Sequence, residues 1–514
     1  MRTIIAVVLC LSLLVCLLSG CGNFDADSYV PSGGGLTWDE TTKPEEDDPP
    51  VDQVQNLTLT YYPNKTMNPY QSTEYTNQAL FSLLYQGLFT VDRNYNVQPL
   101  LCKSYSVSSD MRTYTFYPEA ATFSDGTTLT AEDVSASLNA ARSSNLYKGR
   151  FHMVSSVYVS SDGGVVVNLK TAYENLPILL DLPIVKADQV SLDRPLGTGP
   201  YCFQDTPAGT QLQRRTDWWC SANLIVTAPY ITLVKAESTT QIRDEFQFRD
   251  LDLVYADPGS DRYADFRCDY ELWDSENGIF LYLACNMKSN VFSNAQVRSA
   301  LTYAINRELL ADSYYRGFAR PATLPASPLS PYYNNTLAAK YAMDTEKFIS
   351  VLNEQNMSGS TVVLLVNKDD SLRVRAARAI GQMLTECGLV VQMKELNTSQ
   401  YLTALQRQEY DLYFGQTKLS ANMDLSAFFS SSGNLNFGGI SHVGAYTLSL
   451  EALANAGNYY TLHQTVMENG LICPVLFRSY AVYTNRGILS GLTPSRDNVF
   501  YYILGKTMED ALIK

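Results

Sequence analysis

Histidine is scarce: His152, His442 and His463 are the only three in 514 residues. So few leave little room for imidazole acid–base catalysis or for histidine-rich metal ligation. Neither a Gly-x-Ser-x-Gly elbow nor a His-Glu-x-x-His helix occurs, which argues against a serine or zinc hydrolase. Paired carboxylates doing glycosidase chemistry remain as a hydrolytic alternative, but sequence alone does not pair them. The body cysteines (Cys102, Cys202, Cys220, Cys268, Cys285, Cys387 and Cys473) form no Cys-x-x-Cys pair and no zinc-site spacing. Their number is odd, so at least one lacks an intramolecular partner. Cys202 and Cys220 are placed to bridge two neighbouring strands, and buried thiols are expected for most of the rest. Basic charge is also short, with 38 Lys and Arg against 52 Asp and Glu. Such a chain offers no counterion-releasing surface for nucleic acid. There is no internal repeat, and no apolar run reaches the roughly 20 residues needed to span a bilayer.

The most apolar run, Ile4–Leu18, follows Arg2 and ends in Leu18-Ser19-Gly20-Cys21. A short apolar core closed by small residues describes a secretory signal rather than a membrane span. The tetrapeptide resembles the bacterial lipobox, which makes Cys21 the expected lipidated first residue after cleavage. Residues 22–55 then read as a stalk, with Pro31-Ser32-Gly33-Gly34-Gly35, Pro49-Pro50 and the run Glu45-Glu46-Asp47-Asp48. Asp25, Asp27, Asp39, Glu40, those four and Asp52 face Lys43 alone, so the stalk holds more than half of the net charge of −14. Self-repelling and poor in apolar residues, it is expected to stay extended and disordered. The chain is thus expected at a cell membrane, lipid-anchored and facing the exterior or periplasm.

The body changes character midway. From Leu57 to Leu251 it is mainly short strands and turns, with strands at Val54–Tyr61, Thr113–Tyr117 and Val165–Leu169. Helices are expected at Thr76–Leu88 and Ala131–Arg142, the second opened by Thr130 and Asp133 in a near capping box. Farther on, Val362–Val366 is an apolar strand. A helix capped by Asp370 or Ser371 runs to Glu386, and Gly388 ends it. Leu389–Met393 is the next strand, Thr398 caps a helix to about Gln408, and Tyr410–Phe414 is a third strand. Strand and helix in alternation predict a parallel sheet covered by helices. Between Asn294 and Leu310, Val297, Leu301, Ile305 and Leu309 recur every four residues, predicting one core-facing helix.

Several strings, in order, carry a family resemblance. They are LLYQGLFTVDRNYNVQPLL, FSDGTTLTAEDVSASL, GTGPY, NVFSNAQVRSALTYAINRELL and GFARPATLPASP, spanning about Leu83 to Pro328, with weaker similarity continuing to CPVLF near Cys473. This set resembles family 5 of the extracellular solute-binding proteins, the oligopeptide and dipeptide group that serves ABC importers. The resemblance implies an α/β, two-lobed periplasmic-binding-protein-like fold of type II, with an extra inserted domain and mixed sheets in both lobes joined by a two-strand hinge. Lobe one would hold 56–275 plus 480–514, with a smaller domain inserted at about 76–170. Lobe two would hold 276–479. The crossings would fall near Ile279–Leu283 and Val475–Ala481. The implied function is non-enzymatic: a monomer without cofactor or metal captures a small solute, such as a peptide, in the interlobe cleft and hands it to permease subunits. A sensory, metallophore or sugar receptor on the same fold is the alternative.

Residue roles follow less directly. Asp125-Gly126 and Gly197-Thr198-Gly199-Pro200 read as backbone punctuation, and Arg298 and Arg307 as helix-surface residues or interdomain ion pairs. In peptide-binding members a Gly-Trp segment carries an aspartate for the ligand's amino terminus, followed by Asp-Pro and an aromatic pair. Here the segment runs Gly415-Gln416-Thr417 through Asn422-Met423-Asp424 to Phe428-Phe429. Matching the aromatic pair puts Asp424 on the later aspartate and Ala421 near the amine-binding one, while Gln416 replaces the tryptophan. A buried ammonium without a carboxylate partner is costly. A free amino terminus is therefore a weaker ligand candidate, unless Asp424 substitutes. Candidate ligand-binding residues are Tyr70, Glu74, Tyr75, Gln416, Thr417, Asn422, Asp424 and Arg478. Arg478 is suited to a ligand carboxylate or a hinge ion pair.

Overall fold

The computed structural model describes residues 56–220, 226–258, 266–437, 440, 442–489, 491–496, 498–501 and 508–513. The secretory segment, Cys21 and the acidic stalk lie outside the described residues. Contacts divide the chain into Met1–Pro50 and Val51–Lys514, and the architecture below is that of the second unit. No helix among the described residues is long and apolar enough to cross a membrane.

Short amphipathic strands in the first half build two small sheets and a ribbon. Leu57–Tyr61 pairs in parallel with Tyr230–Lys235, and Gly209–Arg214 and Tyr201–Thr206 extend that sheet antiparallel. A second, antiparallel sheet takes the order Cys102–Val107, Thr113–Pro118, Val165–Leu169, Val154–Val159. Helix Ala131–Ser143 covers it, and Thr130 and Asp133 close a reciprocal capping box at its start. Phe89–Val91 and Val97–Pro99 form the ribbon. The segment expected as a single helix at Thr76–Leu88 forms two one-turn helices, Tyr75–Gln78 and Phe81–Leu84. It stops there because the following backbone is recruited elsewhere: the Leu84 carbonyl accepts from Gly199 N–H and the Gln86 carbonyl from Ile184 N–H.

One larger sheet organises the second half. Its order is Leu253–Ala256, Cys473–Asn485, Tyr270–Cys285, Leu412–Lys418, Thr361–Asn367, Val390–Leu396, with Ala319–Pro321 also on Cys473–Asn485. Thr361–Asn367 runs parallel to both Val390–Leu396 and Leu412–Lys418, as the alternating pattern predicts. Helix Ser371–Glu386, capped by Asp370, buries Ala376, Ala377, Ile380 and Leu384 in this layer's core. Each large apolar side chain so buried contributes about 1.5–3 kcal/mol. Asn397, not Thr398, caps the next helix, because the Thr398 hydroxyl is taken by Asp369.

The longest strands, Tyr270–Cys285 and Cys473–Asn485, pair antiparallel through nearly their whole length. Ile279, Phe280 and Leu281 stand opposite Arg478, Phe477 and Leu476. One end of this two-strand beam carries Leu253–Ala256, and the other carries the parallel layer.

Three further expectations are corrected. The helix expected over Asn294–Leu310 is broken: Ala295–Ala300 is α-helical and Leu301–Ala304 a 3-10 turn, Ile305 is extended, and a short helix restarts at Arg307. Asn306 caps the restart by accepting from Leu309 N–H, and the change of phase leaves Leu309 exposed while Val297, Leu301 and Ile305 stay buried. Arg298 and Arg307 make no ion pair among the described residues. Arg298 donates to the carbonyls of Phe292, Ser293 and Asn469, and Arg307 to those of Thr302, Ile305, Ala322 and Pro474. Cys202 and Cys220 are not joined. Cys202 is a thiol whose Sγ lies 3.8 Å from the Gln213 carbonyl.

His463 gives a pH test of this core. It is fully buried on helix Tyr459–Glu468, and neither ring nitrogen has a hydrogen-bond partner. Burial alone pushes its pKa from 6.5 down to about 3. The unfolded chain therefore binds the extra proton between those values, and native stability falls as pH drops from about 6.5 toward 3. His463→Leu should remove this loss. Its stability relative to the parent, read from urea midpoints, should rise by about 1.4 kcal/mol per pH unit through that window.

Candidate functional site

A cavity of about 530 Å³ opens between the first-half segments 73–91 and 146–152 and the second-half segments 417–427 and 434–435. Its volume lies in the range of small-ligand sites. Two one-turn helices bring Tyr75, Gln78, Phe81, Ser82 and Tyr85 to one wall. Tyr75 is 44% exposed and packs edge-on to Tyr480 with ring centres 5.0 Å apart. Thr417 and Lys418 come from the end of the Leu412–Lys418 strand, and Ser495, Arg496 and Asn498 close the floor.

Two charge pairs face the cavity. Arg150 meets Asp181, with the Arg150 guanidinium 5.2 Å from the Tyr147 ring centre. His152 reaches across to Asp424, Nε2 to Oδ2 at 3.0 Å. Asp424 sits in a tight turn: its Oδ1 accepts from Ser426 N–H at 2.8 Å and its Oδ2 from the Ser426 hydroxyl at 3.1 Å. On the far side of the imidazole, Nδ1 lies 3.0 Å from the Gly149 carbonyl. A carbonyl at Nδ1 and a carboxylate at Nε2 together favour the doubly protonated ring. Burial works against that charge, but the hydrogen bond and charge of Asp424 outweigh it and raise the His152 pKa above 6.5. Burial would also neutralise Asp424, yet His152 and the Ser426 bonds lower its pKa overall. Arg496 is 4% exposed; its guanidinium lies 5.5 Å from the Tyr95 ring centre and 3.4 Å from the Leu419 carbonyl.

The sequence-derived candidates are distributed unevenly. Tyr75, Thr417 and Asp424 line the cavity. Tyr70 stands behind the wall, its hydroxyl donating to the Pro183 carbonyl at 2.7 Å, and Glu74 occupies the N-cap position of the Tyr75–Gln78 turn. Asn422 is buried and accepts from the Ser420 hydroxyl at 2.6 Å. Arg478 forms a two-pronged ion pair with Asp257, both contacts 2.7 Å, and donates to the Gln416 amide oxygen at 3.2 Å. Burial lowers the Arg478 pKa, but Asp257 more than offsets it, so this guanidinium stays charged. Ala421 is buried. Sequence reasoning passed over Arg150, His152, Asp181 and Arg496. Arg150 and His152 share the Lys148–Phe151 turn, but no spacing links that turn to Asp181 and Arg496, and only the fold collects them.

The family model of the bacterial extracellular solute-binding proteins, family 5 Middle, matches residues 96–437. The chain belongs to this family. The fold is accordingly the two-lobed family 5 binding-protein fold, and the protein is a solute-binding protein of the ABC importer type, not an enzyme. Among curated relatives, the glutathione-binding protein GsiB of Escherichia coli (strain K12) is 24% identical over 400 residues, covering 72% of this chain and 74% of that protein. Among solved structures, HbpA2 from Haemophilus parasuis superposes with a TM-score of 0.74 at 18% identity, over 88% of this chain and 99% of that one. The oligopeptide-binding protein AppA from Bacillus subtilis, in complex with a nonapeptide, gives a TM-score of 0.62 at 21% identity, over 89% and 100%.

Proposed function

We propose that this chain is a membrane-anchored receptor that captures a peptide-like or other polar solute in the 530 Å³ cavity and delivers it to an ABC permease. Lipidated Cys21 and the acidic stalk hold it at the membrane. Lobe one comprises 56–275 plus 480–514, with the smaller domain inserted at about 76–170, and lobe two comprises 276–479. Closure bends the paired strands Tyr270–Cys285 and Cys473–Asn485, and buries the solute between the lobes. The observation that carries this reading is the composition of the cavity walls: segments far apart in the chain meet there, and His152 spans the gap to Asp424. Differential affinity for the closed form is what drives closure. Native mass spectrometry of protein purified from its host should show a retained small-molecule mass. Adding that solute to the emptied protein should contract the radius of gyration in solution scattering. A radius unchanged by any bound solute would sink the proposal.

A further inference from the structure

Six charged side chains among the described residues line the cavity: Arg150, His152, Asp181, Lys418, Asp424 and Arg496. Its two carboxylates are both committed, Asp181 to Arg150 and Asp424 to His152. The balance is therefore positive, and a solute ammonium finds no uncommitted carboxylate. Arg496, by contrast, is 96% removed from solvent, has no carboxylate within ion-pair distance among the described residues, and its Nε is unpartnered; the buried Glu276 carboxylate is linked to it through the Tyr95 hydroxyl. Its remaining bonds are long, 3.5 Å to the Tyr95 hydroxyl and 3.4 Å to the Leu419 carbonyl. A buried guanidinium that touches no carboxylate directly among the described residues gains from an incoming anion.

We infer that His152 is a specificity determinant: it occupies Asp424 as a built-in counter-cation, so the cleft selects solutes bearing an anionic group and rejects those presenting a free ammonium at this place. The inference rests on the binding-protein reading above and adds the charge class of its solute. His152 is well suited to the role. Its ring is held at both ends, by Gly149 and by Asp424, while 42% of the side chain stays exposed at the cleft edge. The groups facing it are Asp424 and the Ser426 hydroxyl, whose oxygen lies 3.3 Å from Nε2. Lys170 sits on the His152 carbonyl at 2.8 Å, and neighbouring Arg150 is turned to Asp181. Removing the imidazole leaves Asp424 with two bonds from Ser426 and an unneutralised charge at the cavity wall. An ammonium would then take the vacated place.

Three probes that share one tripeptide and differ in the charge and capping of its termini test this: N-acetyl-trialanine, trialanine and trialanine amide, titrated calorimetrically into the full chain at pH 6. The parent should bind the acetylated acid at least tenfold more tightly than the amide. His152→Ala should shift that ratio at least tenfold toward the ammonium-bearing probes. A parent that prefers the amide, or a ratio unmoved by His152→Ala, would overturn the inference. Should none of the three bind the parent, the peptide part of the proposed function fails, and the His152 ring itself decides. Its proton titration, followed by NMR, should fall by at least one pH unit in Asp424→Asn. An unshifted titration there would overturn the inference too.

Discussion

Arg307→Ala should be the most damaging single substitution in the second half of the chain, lowering unfolding free energy by about 3–5 kcal/mol. Arg307 is 4% exposed and threads between three stretches of backbone. Nε donates to the Ala322 and Pro474 carbonyls at 3.1 and 3.0 Å, one terminal nitrogen to Thr302 and Ile305, and the other to the Thr302 hydroxyl and Pro474. Truncation strips donors from four buried carbonyls at once and leaves a cavity. Buried acceptors without partners each cost on the order of 1–3 kcal/mol, so the sum exceeds any loss of packing. Arg307→Lys should recover only part, because an ammonium on a flexible stem cannot reproduce the planar fork. Urea unfolding followed by circular dichroism measures both. Amide exchange in Cys473–Asn485 should quicken in Arg307→Ala, since Pro474 lies on that strand. A loss below about 1 kcal/mol would mean the carbonyls find other donors.

Gly197→Ala should cost both stability and solute binding. A Cβ there would stand 2.1 Å from the Leu84 carbonyl oxygen and 2.5 Å from the Tyr85 ring. Two residues on, Gly199 donates its N–H to that same carbonyl at 3.0 Å, and a Cβ on Gly199 would meet the Leu83 and Leu84 backbone within 2.6 Å. The Gly-Thr-Gly-Pro turn is therefore pressed onto the Phe81–Leu84 helix, and backbone on both sides leaves nothing to yield. Overpacking of this kind costs about 1–3 kcal/mol, with more at a rigid contact. Because Phe81, Ser82 and Tyr85 line the cavity, pushing that wall should also weaken retained-solute affinity by roughly tenfold, a shift of about 1.4 kcal/mol. Gly149→Ala is the control: a Cβ there meets nothing within 4 Å, and its stability should stay within about 0.5 kcal/mol of the parent.

These two sites mark how far the chain could be read beforehand. Backbone punctuation at Gly197–Pro200 was visible as a motif, but its partner Leu84 is more than a hundred residues away. The βαβ alternation between Thr361 and Lys418 was legible because apolar period and caps are local: Asp370 begins its helix as read, and the strands pair in parallel. The broken helix after Asn294 was not. Its apolar spacing satisfies an unbroken helix, and what interrupts it is the pull of Ala322 and Pro474 on Arg307 from distant segments.

Strands, caps and turns were legible because they depend on neighbours a few residues away; the two-lobed fold was legible only through the family that the ordered strings resemble. The expectation of solute binding came from the same strings through the family they resemble. The charge character of the cleft was decided elsewhere. On sequence alone Asp424 matches the later aspartate and could stand in for the amine-binding one; only folding lays His152, 272 residues earlier, 3.0 Å from it. Coulomb attraction and desolvation act through space over a few ångströms, and no spacing along the chain encodes which two charges will share that distance.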